Sequence, residues 1–364
     1  MTASVANESD RAPLLAGRGL LFAYAAAIVY ASLNPFYGWR IPEAILLFSW
    51  PKYWSTFDLV LNVLAYVPFG AMVAGQFAQR VGPGVSAGRI ALRTLVLGAL
   101  LSICMELMQT MLPQRVSSPV DVLTNALGTL GGAVFVLSAA GRRWQLRLSE
   151  ARDRWMLPSA FRKAAVILCL AWLFAQLNPL VPLFDAGEFM TPRTAPAARD
   201  PYEPWTFLPF AFGTALNACA FALFLSLVLR TGRRTIAGVI SMVAAGFVGK
   251  AAMAAFMLRA PQFAEWLSPA AVTGVAGGGL AFLLLHRLPL RWRALATALL
   301  LFAGTLLARI TADAGTMQAA MKLLNWPHGH VATFAGLTHW VYEAWPVAAF
   351  AFAAWIFLST RPME

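Results

Sequence analysis

Seven polar residues lie close together in the first third of the chain, at spacings that suit binding or proton exchange. Glu106, Gln109, Arg115, Asp121 and Asn125 fall within "MELMQTMLPQRVSSPVDVLTNALGTLGG" (105–132), and Asp58 and Asn62 within "DLVLNVLAYVPFG" (58–70). Carboxylates accept hydrogen bonds from hydroxyls and amines, carboxamides both donate and accept, and a guanidinium pairs with an anion. Asp58 and Asn62 are four residues apart, as are Asp121 and Asn125, and Glu106 and Gln109 are three apart. In a helix each pair shares one face.

The surrounding chain sets the solvent for this chemistry. Of 364 residues 59% are hydrophobic and 12% charged, with a mean hydropathy of +0.65, whereas soluble domains carry about 25% charge. The fold class expected is all-α, a polytopic transmembrane bundle. Ten apolar runs are long enough to cross about 30 Å of hydrocarbon: 17–35, 57–79, 90–112, 119–140, 163–182, 206–230, 234–258, 267–286, 291–312 and 337–359. The alternating segments of a membrane β-barrel are absent. "IPEAILLFSW" (41–50) suits a segment lying in the interface.

Net charge is +12, but its distribution argues against nucleic-acid binding. With both termini placed in the cytoplasm, 19 of the 28 Lys and Arg residues fall on the inner side, which satisfies the positive-inside rule. Loops at 35–56, 113–118, 183–205, 259–266 and 313–336 are then outside. In this topology Asp58 and Asp121 open their helices from the outer side, Glu106 lies near the outer end of its own, and Arg115 sits in the turn above as lid or counter-ion. Ionisable groups inside membrane spans usually mark function.

The chain also repeats itself. "YASLNPF" (30–36) recurs as "FAQLNPL" (174–180), "DLVLNVLAYVPFG" as "GTALNACAFALFL" (213–225), and "SPVDVLTNALGTLGG" (118–132) as "SPAAVTGVAGGGLAF" (268–282). The organisation expected is a cytoplasmic tail (1–16), a four-helix unit (17–140), a basic amphipathic linker (141–162), a degenerate parallel repeat (163–286) and a two-helix appendix (287–364). The second copy has lost the polar set: Gly213, Ala271 and Val275 stand where the first has Asp58, Asp121 and Asn125, and Asn217 answers Asn62.

The motifs of the first unit resemble the VanZ-like membrane family: an acidic residue, Asn and Pro-Phe-Gly on one helix, then Glu-x-x-Gln ("ELMQ"), a Pro-x-Arg turn ("LPQR") and Asp-x-x-x-Asn ("DVLTN") with glycines. The resemblance covers about residues 17–140. It implies a bacterial plasma-membrane protein and a setting at the outer face, among lipid-linked sugars and lipoglycopeptides. The founding member is associated with low-level resistance to teicoplanin, and related domains occur beside surface-polysaccharide genes. No reaction is established for the family.

Three functions follow as expectations. In the first, an outward-facing pocket recognises an amphiphilic envelope molecule: a lipid-linked sugar, phospholipid headgroup or lipoglycopeptide. Arg115 would pair with its anionic group, Asp58, Glu106 and Asp121 would bind hydroxyls or amines, and Asn62, Gln109 and Asn125 would orient them. In the second, Glu106, Asp58 or Asp121 acts as general acid or base in transferring a lipid-linked group, or the three acids hold Mg²⁺. In the third, the protein is a scaffold for envelope-biosynthesis enzymes. The competing structural reading makes these groups helix glue.

Lesser signals point elsewhere. Cys104, Cys169 and Cys219 lie in apolar runs without motif spacing and suit packed thiols. His328, His330 and His339, with Glu343 one turn beyond, suit interfacial histidines better than a metal site. Lys250 is a single intramembrane cation that either snorkels or faces a cavity. The glycines of 128–132 and 277–279 suit close helix packing.

Overall fold

The computed structural model describes residues 18–34, 36–41, 56–80, 85–113, 115–157, 161–184, 203–311, 320–325 and 330–360. The expected tail (1–16), nearly all of the interfacial segment (41–50), most of the loop at 183–205, and residues 313–319 and 326–329 of the loop at 313–336, His328 among them, lie outside the described residues. Eleven helices are present among those described: α1 (Arg18–Leu33), α2 (Thr56–Arg80), α3 (Ala87–Gln109), α4 (Pro119–Leu137), α5 (Ala139–Trp155), α6 (Arg162–Gln176), α7 (Pro204–Val228), α8 (Arg233–Met257), α9 (Pro269–Leu285), α10 (Leu290–Thr311) and α11 (His330–Ser359). The protein is a helical membrane bundle. Seven of these helices are long and apolar enough to span a bilayer, and α1 and α9 are apolar but shorter.

Each of the ten expected crossings contains a helix, and α5 is the eleventh. It carries the basic linker sequence, with Trp144 and Leu148 exposed. The break between α4 and α5 has a local cause: Ser138 is extended, its hydroxyl accepts the Gly141 N–H at 3.0 Å, and a side chain at Gly141 would meet the Phe135 carbonyl.

The chain divides into two compact units, Met1–Arg154 and Trp155–Glu364. In the first, α2 and α4 pack face to face, α3 lies against both, and α1 leans on α2 and α3. The close approach rests on glycine: a Cβ on Gly128 would strike the Val63 carbonyl, and one on Gly132 the Val67 carbonyl. Small residues four apart let helix backbones meet in lipid.

The second unit contains the same device. Gly274 and Gly278 on α9 face the carbonyls of Ala211 and Ala215 on α7. This contact sets a register different from that of the repeated motifs. Gly128 also faces the Tyr66 side chain, and Gly274 correspondingly faces Thr214. Asn62 precedes Tyr66 by four residues, whereas Asn217 follows Thr214 by three, so the two asparagines do not answer one another. The last two helices pack within this unit: α10 lies on α7, and α11 lies on α10 and α6.

Candidate functional site

The polar residues of the first unit gather at one end of the bundle. Asp58 is in the first turn of α2, Asp121 is in the first turn of α4, and Glu106 is near the last turn of α3. Glu106 is 3% exposed. Its Oε2 accepts the Ser118 backbone N–H at 2.7 Å, so the carboxylate meets the positive end of α4. Ser118 caps the same helix through its hydroxyl, which accepts the Val120 N–H at 3.2 Å. Asp121 lies within electrostatic reach of Glu106. One turn deeper, the Asn125 amide donates to the Ser102 hydroxyl at 2.9 Å, joining α4 to α3.

Arg115 and Gln109 face another way. The Arg115 guanidinium donates to the carbonyls of Asn34 and Ala31, both at 2.9 Å, and Gln109 donates to the Ser32 carbonyl at 3.0 Å. These are carbonyls at the end of α1, which lack helical partners and carry the negative end of the helix dipole. Burial lowers the Arg115 pKa, although a guanidinium stays charged at any physiological pH. Both residues thus tie α1 to the α3–α4 hairpin.

In the first unit four buried polar atoms have no hydrogen-bond partner among the described residues: Asn62 Nδ2, Tyr66 Oη, Ser117 Oγ and Asn125 Oδ1. The Ser117 hydroxyl lies beside the Glu106 carboxylate, outside hydrogen-bonding geometry. Tyr66 lies beside Ser102, outside hydrogen-bonding geometry, and within electrostatic reach of Glu106. Buried polar groups in folded proteins are nearly always satisfied, so these four atoms stand out; of their residues, Tyr66 and Ser117 lie near Glu106. The three acids are not arranged as a Mg²⁺ site. No group of three His, Cys, Asp or Glu among the described residues is placed to hold a metal ion, and Glu106 is turned onto the start of α4.

Residues 18–140 match the VanZ/LLP1 family model. The first unit is VanZ-like. No curated protein and no solved structure matches the chain. Within the VanZ-like unit, Tyr66, Ser102, Ser117 and Ser118 join the seven residues read from sequence. Phase identifies two of them: Tyr66 continues the Asp58–Asn62 stripe by one turn, and Ser102 stands one turn from Glu106.

The second unit uses its polar residues differently. Helix α6 ends at Gln176, short of the expected 182, because Pro179 cannot continue a helix and its ring disfavours helical Asn178. Residues 178–184 then run buried without regular structure, and their carbonyls are met by side chains. Lys250, 0% exposed, donates to the carbonyls of Asn178 at 2.6 Å and Val181 at 2.9 Å. Tyr342 donates to Pro182 at 3.0 Å, and Asn217 to Phe184 at 3.1 Å. Asn217 lies near the middle of the α7 span Phe207–Val228, so this loop dips into the apolar layer. Irregular backbone is tolerated there only when protein satisfies it.

Lys250 therefore does not snorkel; its ammonium is buried against backbone carbonyls. Asn34 and Asn178, which the expected repeat aligns, each give a carbonyl to a basic side chain, Arg115 in one unit and Lys250 in the other. Beside the loop, a cavity of about 20 Å³ is bordered by Gln176, Asn217 and aromatic rings, room for one water. Both amide atoms of Gln176 and the Asn217 Oδ1 have no hydrogen-bond partner among the described residues. His339 sits 3.6 Å from Glu343, one turn on along α11.

Proposed function

We propose that the VanZ-like unit recognises the polar head of an amphiphilic envelope molecule, and that a lipid-linked sugar or lipoglycopeptide suits it best. The observation that carries this reading is the set of buried donors and acceptors in the first unit that lack a partner among the described residues, two of them beside Glu106. An amide donor (Asn62 Nδ2), an amide acceptor (Asn125 Oδ1) and two hydroxyls (Tyr66, Ser117) complement a group rich in hydroxyls and amides. The acidic neighbours Glu106 and Asp121 favour hydroxyl or amine donors over anions. Arg115, engaged with α1, serves the site by holding its wall. An apolar tail would remain in lipid beside the exposed faces of α2–α4, where Leu64, Leu100 and Leu127 point outward. A role in glycopeptide resistance or in surface-polysaccharide biogenesis, at the outer face of a bacterial plasma membrane, follows from this reading.

The test uses the purified full chain in lipid nanodiscs with two probes, a polyprenyl-linked disaccharide and teicoplanin. Saturable binding of one of them is expected, weakened about tenfold by Glu106→Gln and Asn62→Leu, with the recovered probe unchanged in mass. A chemically altered probe whose appearance depends on Glu106 would replace recognition with catalysis. Absence of saturable binding by both probes would overturn the reading.

A further inference from the structure

Where α7 ends and α8 begins, an open cleft of about 440 Å³ is lined by Leu157, Arg230, Thr231, Arg233 and Arg234. Its backbone is fixed. The Leu157 N–H donates to the Val228 carbonyl and the Arg230 N–H to the Trp155 carbonyl, both at 2.9 Å, pairing the two segments antiparallel. The Thr235 hydroxyl then donates to the Arg230 carbonyl at 2.7 Å. Three guanidinium groups are thereby presented by one short turn at the edge of two membrane spans, Phe207–Val228 and Arg233–Met257.

A second, independent observation is the sorting of charge within this unit. Arg293 at the start of α10 donates to the Ser226 carbonyl at the end of α7. Arg291 lies over the Phe357 ring near the end of α11, and Phe161 before α6 packs on Trp355. The start of α6, the end of α7, the start of α10 and the end of α11 therefore form one end of the unit. To it belong Arg162, Lys163, Arg230, Arg233, Arg234, Arg291 and Arg293. The described acids of the unit lie elsewhere: Glu203 caps α7 at its other end, Glu265 precedes α9, and Glu343 lies inside α11. Exposed Trp155 and Trp292 stand at the basic end, as aromatic side chains do at a membrane interface.

We infer that this cleft binds the phosphate of an anionic phospholipid headgroup, with the acyl chains lying along the exposed apolar face of α8 at Ile240 and Val248. Guanidinium groups match phosphate oxygens in pairs, and the Thr231 hydroxyl adds a donor for an ester oxygen. A basic cleft beside a span is where attraction to an anionic leaflet concentrates, at about fivefold in affinity per basic residue. The site is independent of the polar cluster of the VanZ-like unit.

The experiment measures lipid retention by native mass spectrometry on the full chain. It compares phosphatidylglycerol with phosphatidylcholine of the same acyl chains, with inorganic phosphate as a competitor. Preferential phosphatidylglycerol binding is expected, falling about fivefold in Arg233→Ala and about 25-fold in Arg233→Ala/Arg234→Ala, with Arg233→Lys falling less than Arg233→Ala because the charge is kept while the paired donors are lost. Arg233 is exposed, so the single variant decides the matter should the double variant fail to fold. Equal retention of the two lipids, or no loss in Arg233→Ala, would overturn the inference. Displacement of phosphatidylglycerol by equimolar inorganic phosphate would overturn it in favour of a free-phosphate site.

Discussion

Tyr66→Phe and Asn62→Leu separate binding from stability at the scale of single residues. Each removes a buried polar atom that has no partner among the described residues, so each relieves a desolvation cost of about 1–3 kcal/mol. Stability of the purified protein should hold or rise while probe affinity falls. Ser102→Ala behaves oppositely: it takes the partner from Asn125 Nδ2, and a membrane hydrogen bond is worth about 0.6–2 kcal/mol. Arg115→Gln should cost more than Ser102→Ala, because two α1 carbonyls lose their donor; protease cutting after α1 would report it. Uniform destabilisation by all four changes would favour helix glue. The acid and amide positions were legible in sequence because charges are rare in apolar helices and their spacing matches a helical turn. Tyr66 and Ser102 share that phase but carry no signal of their own, since one tyrosine or serine in such a helix is ordinary. The partners of Arg115 were hidden for another reason: Ala31 and Asn34 offer only backbone carbonyls, which have no side-chain signature.

At the scale of elements, the proposed site depends on the α2–α4 seam. Gly132→Val should prevent accumulation of the protein, since a side chain there meets the Val67 carbonyl and the Ala71 backbone, whereas Gly131→Ala, open around its Cβ position, should be silent. In-gel fluorescence of a tagged chain compares the two. The buried loop at 178–184 gives a matching expectation for the second unit. Lys250→Met leaves the Asn178 and Val181 carbonyls without their ammonium donor at about 1–3 kcal/mol each, and the thermal midpoint should drop by several degrees. Sequence alone read this loop as the end of a membrane helix because "LNPLVPLF" is uniformly apolar. Apolar composition reports burial and does not distinguish a helix from an irregular segment whose carbonyls are satisfied from elsewhere. The motifs suggest a repeat, and both units share glycine–carbonyl contacts between helices, in a register different from that of the motifs.

For the whole molecule, both termini are expected in the cytoplasm, with the polar cluster at the outer surface and the arginine cleft at the inner one. Single cysteines introduced after replacement of Cys104, Cys169 and Cys219 test this: an impermeant thiol reagent on intact cells should reach position 193 and not 233. The central claim, that the polar cluster of the VanZ-like unit is a ligand site, is tested most directly by one paired measurement on the Asn62→Leu/Tyr66→Phe chain. Its affinity for the polyprenyl-linked disaccharide or teicoplanin, whichever binds the wild type, is recorded beside its thermal midpoint. The account expects at least a tenfold loss of affinity with an unchanged or higher midpoint. Unchanged affinity, or a lowered midpoint with affinity falling in step, would contradict it.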